Sequence, residues 1–209
     1  MAILRREAPA WEAPIVTLVA ETTSDPFRVL ISTILSLRTQ DETTARAARR
    51  LFARATTPRN MLRLRENTIA KLIYPVGFYR TKAGTIREVC RTLLERHGGK
   101  VPCDLEALLA LQGVGRKTAN LVLTAGFRAA GICVDTHVHR ITNRWGYVAT
   151  DSPNATEMAL RRKLPPAHWI EINDLLVAFG QRLCRPISPH CSRCPIRQHC
   201  PRRGVTAWR

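Results

Sequence analysis

Apolar residues recur every three or four positions along most of this chain, and no stretch alternates strictly enough for a half-buried strand. From Phe27 the apolar set continues through Leu30, Ile31, Ile34 and Leu35, one stripe on one helix. Ser24-Asp25-Pro26 precedes it, a capping side chain followed by proline at the first helical position. A helix opening near Glu42 turns Ala45, Ala48, Leu51 and Phe52 to one side. Thr57-Pro58 opens a short helix and Asn67 another, which Pro75 and Gly77 stop. Thr81 to His97 reads as a long helix with Ile86, Val89, Cys90, Leu93 and Leu94 inward, ended by Gly98-Gly99. Ahead of all these, residues 11–20 read as a short amphipathic helix.

The most informative stretch follows. Asp104 caps an apolar run, Leu105 to Leu111, and a second run leads from Thr118 to Phe127. Between them Gly113 and Gly115 bracket Val114, a connection short enough only for a tight helical hairpin over about 105–127. Glycine permits positive φ there and lets another backbone approach. The first amides of the outgoing helix point outward at the positive end of its dipole, which makes a seat for phosphate. Lys117 lies in that first turn, where the dipole disfavours a cation. Beyond Phe127 an extended piece, Gly131 to Val134, delivers Asp135 to a helix ending at Gly146. Further helices fit 153–163 and 166–182, so the class is all-α.

Charge narrows the partners. Against 33 Lys and Arg the 209 residues hold 16 Asp and Glu, a net charge of +17. For a basic globular domain, nucleic acid is the commonest partner. Arginine carries most of the charge, which suits bidentate phosphate contacts. No apolar run approaches the roughly 20 residues of a membrane span, and Met1 to Ala10 has no signal-type apolar core. A soluble protein inside the cell is the expectation, cytoplasmic in a prokaryote and nuclear or mitochondrial in a eukaryote.

Cysteine spacing adds a metal. Four of the seven cysteines form the run Cys184-x6-Cys191-x2-Cys194-x5-Cys200, and inside a cell such clustering favours metal over disulfide. Four thiolates also suit zinc, although zinc modules usually pair two Cys-x2-Cys knuckles and one is present here. Cys90, Cys103 and Cys133 read as buried small side chains.

Leu111-Gln112-Gly113-Val114-Gly115-Arg116-Lys117-Thr118-Ala119-Asn120, followed by Val134-Asp135-Thr136-His137-Val138 and then the cysteine run, resembles the endonuclease III family from about residue 25 to 204. The resemblance implies a six-helix bundle over 20–129. It implies a second domain joining 1–19 to 130–209, and a DNA-binding cleft between the two. It implies a bifunctional DNA glycosylase/AP lyase acting as a monomer on double-stranded DNA that contains oxidised pyrimidines or abasic sites. In that chemistry Lys117, its pKa lowered by burial, attacks C1′ to form a Schiff base, and Asp135 is the assisting carboxylate. The cysteines Cys184, Cys191, Cys194 and Cys200 then hold a [4Fe–4S] cluster.

DNA contacts follow by the same resemblance: Gly113, Val114, Gly115 and Arg116 in the hairpin, and Arg193 and Arg197 in the cysteine loop. Phe78 stands where the family has a leucine wedge, and Lys82 reads as a phosphate contact. Arg38, with Gln40 two residues on, stands where many members carry a glutamine facing the strand opposite the lesion. That departure leaves the opposite-base preference open. His137 and His139 read as capping or packing residues. Two other readings stay in view, a monofunctional mismatch glycosylase and a non-catalytic helix-hairpin-helix DNA binder; Lys117 argues against the first.

Overall fold

The structure, a computed structural model, describes residues 1–11 and 25–209. The helix expected over 11–20, apart from Trp11, and Ser24 of the expected Ser24-Asp25-Pro26 start fall outside the described residues. Among the described residues every regular element is helical: α1 Ala2–Glu7, α2 Pro26–Ser36, α3 Asp41–Phe52, α4 Pro58–Arg63, α5 Glu66–Ile73 and α6 Tyr79–His97, then α7 Leu105–Leu109, α8 Arg116–Leu121, α9 Thr136–Arg144, α10 Pro153–Lys163 and α11 Ile172–Arg182. None of these helices is long and apolar enough to cross a membrane.

The helix starts show the capping chemistry directly. Asp25 Oδ1 accepts from Phe27 N at 2.9 Å, and Asp104 Oδ1 from Ala107 N at 2.8 Å. Thr57 and Ser152 cap α4 and α10 through Asn60 N and Ala155 N. Each satisfies an amide that has no partner within its helix. Gly98, at φ +59°, ends α6.

Two compact units emerge, Ile15–Ala129, and Met1–Pro14 together with Ala130–Arg209. In the first, α6 packs along α4 and α5, and α2 lies against α3 and against the turn after α8. Leu30, Ile31, Ile34, Leu35, Leu51, Met61, Ile69, Ile73, Ile86 and Leu93 are fully buried there. In the second, α9 packs on α11 and α10. Its core gathers Ile132, Val138, Ile141, Leu160, Ile172, Leu176 and Phe179 around Leu4 of α1.

Several expectations need correction. Sequence periodicity showed no helix at Ala2–Glu7, because one buried leucine, Leu4, is its whole apolar face. The helix expected over 166–182 is broken: Pro166–His168 forms a single 3-10 turn, and α11 begins only at Ile172. The second hairpin helix changes pitch, passing from α8 into a π turn at Val122–Gly126. Thr124 Oγ1 donates to Asn120 O at 2.9 Å inside that turn, occupying a carbonyl displaced from the α ladder.

Leu4 supplies the test of the discontinuous unit. At 1% exposure, Leu4→Ala should cost about 2–5 kcal/mol, the usual cost of emptying a packed leucine site. Denaturant titration measures it; a cost below about 1 kcal/mol would mean that α1 is not part of this core.

Candidate active site

The hairpin turn is built as its glycines require. Gly113 adopts φ +76°, and a Cβ there would lie 2.7 Å from Thr85 Cγ2, so both backbone and space exclude a side chain. Val114 N closes the turn on Leu111 O at 3.1 Å while the Val114 side chain is buried. The Val114 amide is thus committed to the turn and its side chain to the core. Gly115 caps α8 in an extended conformation, and Arg116 and Lys117 form its first turn. Gly113 and Gly115 are exposed and Arg116 half-buried. Lys117 is exposed too, which corrects the burial expected of it.

Asp135 lies in the other unit. The residue is 8% exposed and its carboxylate caps α9, Oδ1 accepting from His137 N at 2.8 Å and Val138 N at 2.9 Å. The two histidines beside it have structural partners. His139 Nδ1 pairs with Thr156 Oγ1 at 2.7 Å, and His137 Nδ1 with the Arg140 guanidinium at 3.1 Å. Burial pushes the Arg140 pKa down, while the charges of Cys184 and Asp135 hold it up.

The C-terminal half of α9 holds the cysteine loop. Arg140 donates to Cys184 O at 2.9 Å, and Arg144 to Cys184 Sγ at 3.4 Å, Arg185 O at 2.7 Å and Pro186 O at 2.7 Å. Sequence reasoning missed both arginines. Their signal was the i, i+4 spacing, which puts them on one face of the helix that Asp135 opens. Cys184, Cys191, Cys194 and Cys200 line one pocket with Trp145, Phe179 and Leu183. Burial pushes the Cys194 thiol up, and the other three thiols push the same way. Among the described residues no three metal-binding side chains meet closely enough for a single ion. Trp145 Nε1 is buried without a hydrogen-bond partner. Arg193 and Arg197 are exposed on the loop. Cys103, expected to be buried, is exposed; Cys90 and Cys133 are buried.

The remaining expected contacts gather at one place in the bundle unit. Phe78 is 63% exposed and Arg38 and Gln40 are exposed, with the Arg38 guanidinium carbon 5.7 Å from the Phe78 ring centroid. Lys82 departs from its expected role as a phosphate contact. It is 7% exposed, and Nζ donates to Leu35 O at 2.9 Å, Leu37 O at 2.5 Å and Thr39 Oγ1 at 3.3 Å. A buried ammonium committed to three oxygens serves the loop it holds.

Residues 31–166 match the HhH-GPD superfamily base excision DNA repair proteins. Over 177 residues, 85% of this chain and 83% of the relative, the sequence is 50% identical to endonuclease III of Thermotoga maritima. The chain belongs to the endonuclease III family. Its members include the chloroplastic endonuclease III homolog 2 of Arabidopsis thaliana, 42% identical over 95% of this chain, of which the chain spans 55%. A solved endonuclease III–DNA covalent intermediate, trapped with an estranged adenine, superposes with a TM-score of 0.80. It is 34% identical and covers 85% of this chain and 84% of its own. Endonuclease III proteins are DNA glycosylases of base excision repair, and this chain is one of them.

Lys82 carries a pH prediction. Burial pushes its amine from the ordinary 10.5 down to about 8. Between those values the unfolded chain keeps a proton that the folded chain releases, so this residue's contribution to stability rises with pH and is smallest below 8. The stability of wild type relative to Lys82→Met should therefore increase from pH about 7.5 to about 9.5, read from denaturant midpoints. A constant difference would place the amine's pKa near that of a solvated lysine.

Proposed function

We propose that this glycosylase is bifunctional: Lys117 displaces an oxidised pyrimidine and cleaves the strand 3′ to the abasic site. The observation that carries the reading is Lys117 itself, an exposed primary amine in the first turn of α8, directly after the Gly113–Gly115 turn. The relative trapped as a covalent intermediate on DNA supports the same chemistry.

The steps follow from what the sugar requires. The target nucleotide leaves the stack, and its phosphates meet the amides of Gly113, Gly115 and Arg116. A neutral Lys117 amine attacks C1′, the bond from C1′ to the base breaks, and the base departs with a proton. The sugar ring opens to an iminium. Loss of a C2′ proton then expels the 3′ phosphate, and water hydrolyses the imine to return the lysine. Since Lys117 is exposed in the protein alone, its desolvation has to come from the DNA that covers it.

Asp135 takes the ammonium proton and balances positive charge on the sugar. The two amides on Oδ1 fix the orientation in which the carboxylate acts. Arg193 and Arg197 meet phosphates, and Arg38 and Phe78 occupy the gap that the extruded nucleotide leaves. Gln40 stands beside them at the start of α3.

A [4Fe–4S] cluster fits the cysteine pocket. A single zinc draws four sulfurs to about 2.3 Å from one point, whereas a cubane takes each thiolate at a separate iron and suits thiols set around a pocket. The unpartnered Trp145 Nε1 in the pocket wall would have a sulfur acceptor, and the thiolate charge meets Arg144, Arg197 and Arg202. Cys184, Cys191, Cys194 and Cys200 would hold the cluster, which supplies a fixed fold for the basic loop.

Lys117→Gln should abolish borohydride trapping and strand cleavage while keeping DNA affinity, because the turn amides remain. Undiminished trapping would move the nucleophile elsewhere, and a monofunctional enzyme would excise bases without trapping at all. Asp135→Asn should keep the fold, since asparagine also caps helices. It should also lose on the order of 10²–10⁴ in base excision; a few-fold loss would leave Asp135 as a cap alone.

The metal has its own assay. Protein produced with iron available should contain about four irons per chain. Replacing Cys191 or Cys194 should lower solubility or DNA affinity before it changes the chemistry. Stoichiometric zinc would reject the cluster.

A further inference from the structure

Arg38 and Phe78 come from two loops about 40 residues apart in sequence, and both hold a backbone conformation that side chains disfavour, φ +53° and +57°. Neither is glycine, and a non-glycine residue in this region costs on the order of 1 kcal/mol or more. The surroundings impose the conformation. Thr39 Oγ1 accepts from Gly77 N at 3.1 Å, so a side chain of the first loop holds the backbone of the second. A Cβ on Gly77 would lie 2.7 Å from Arg38 O, which shows how closely the two backbones approach.

Lys82 ties the first loop to the helix that the second loop opens. It projects from the first turn of α6, the helix that Phe78 opens, and reaches Leu35 O and Leu37 O, where α2 ends, together with Thr39 Oγ1. The end of a helix leaves carbonyls without partners at the negative pole of its dipole, which favours a cation. An ammonium has three donors, one for each oxygen. None of the three partners is a carboxylate, so the amine is held by hydrogen bonds to the loop it organises rather than by an ion pair. Packing alone would not need a charge at such a buried position.

We infer that Lys82 is a positioning residue for damage recognition, clamping the 37–40 and 76–78 loops so that Arg38 and Phe78 enter the duplex gap as one stacked unit. The inference rests on the proposed placement of that pair against the lesion. With the clamp intact the guanidinium and the ring are organised before DNA arrives, and the ordering entropy is not charged to binding. Without it each side chain must be ordered separately. The hairpin amides and the arginines of the cysteine loop are untouched, so affinity for intact duplex should persist.

The test is a double-mutant cycle read as preference for a duplex with an abasic-site analogue over intact duplex at one salt concentration. Arg38→Ala/Phe78→Ala should lower that preference at least about tenfold. Lys82→Met should lower it by a similar factor in the wild-type background and by less than about twofold in the double variant. Thr39→Val, which keeps both carbonyl partners of Lys82 and removes the bond to Gly77 N, should show the same non-additivity with a smaller loss; it serves if Lys82→Met fails to fold. A fluorescent purine opposite the abasic analogue should brighten on binding wild type and stay quenched with Lys82→Met or Thr39→Val. Equal losses in both backgrounds, or an unchanged preference in both Lys82→Met and Thr39→Val, overturn the clamp. An undiminished preference in Arg38→Ala/Phe78→Ala overturns the placement of the pair against the lesion and the clamp with it.

Discussion

Helix α9 is the constraint on which the proposed chemistry depends. Nine residues, Thr136–Arg144, rising 1.5 Å each, connect a buried carboxylate at one end to the cysteine loop at the other. Asp135 ends its N-terminus through two amide hydrogens, and Arg140 and Arg144 reach Cys184 and the carbonyls after it. Val138 and Ile141 fix its rotation by packing into the unit's core. A rod fixed at this many points cannot turn by one residue without losing both the cap and the arginine contacts. The carboxylate and the sulfur pocket are therefore set by the same local geometry.

Charge in this protein is divided between two uses. A net +17 suggests a surface prepared for phosphate, yet several arginines are already committed. Arg50 donates to Leu72 O and Tyr74 O, Arg87 to Leu62 O and Leu64 O, and Arg140 and Arg144 to the cysteine loop. The planar fork of guanidinium suits two carbonyls at a helix end as well as it suits phosphate. Arg193 and Arg197 are exposed. The committed guanidiniums keep their charge but have fewer donors left for direct contact with phosphate.

What could be read in the sequence was local. Caps at Asp25, Thr57, Asp104 and Asp135 depend on residues two or three positions away, and each forms the bond its position implies. The hairpin needed a glycine at 113 for reasons its neighbours state. Lys82 was misread because its partners lie 43 to 47 residues earlier in the chain. From its own segment it is simply a cation in the first turn of a helix after a glycine. Exposure at Lys117 and Cys103, and the role of Arg144, likewise depend on packing that periodicity does not encode. The break before α11 falls after His168 and has no signal in Pro165-Pro166, which suit a helix start.

The unit that carries the cysteines begins with Leu4 and ends after Cys200, while Ile15–Ala129 is continuous in sequence. On a ribosome delivering about 5–20 residues per second, the hairpin unit has all its segments well before the other does. Helix α1 must wait, its one leucine uncovered, until α9 and α11 have emerged some 130 residues and more later. Birth order thus separates the two units: Lys117 has its folding partners before Asp135 and the four loop cysteines have theirs.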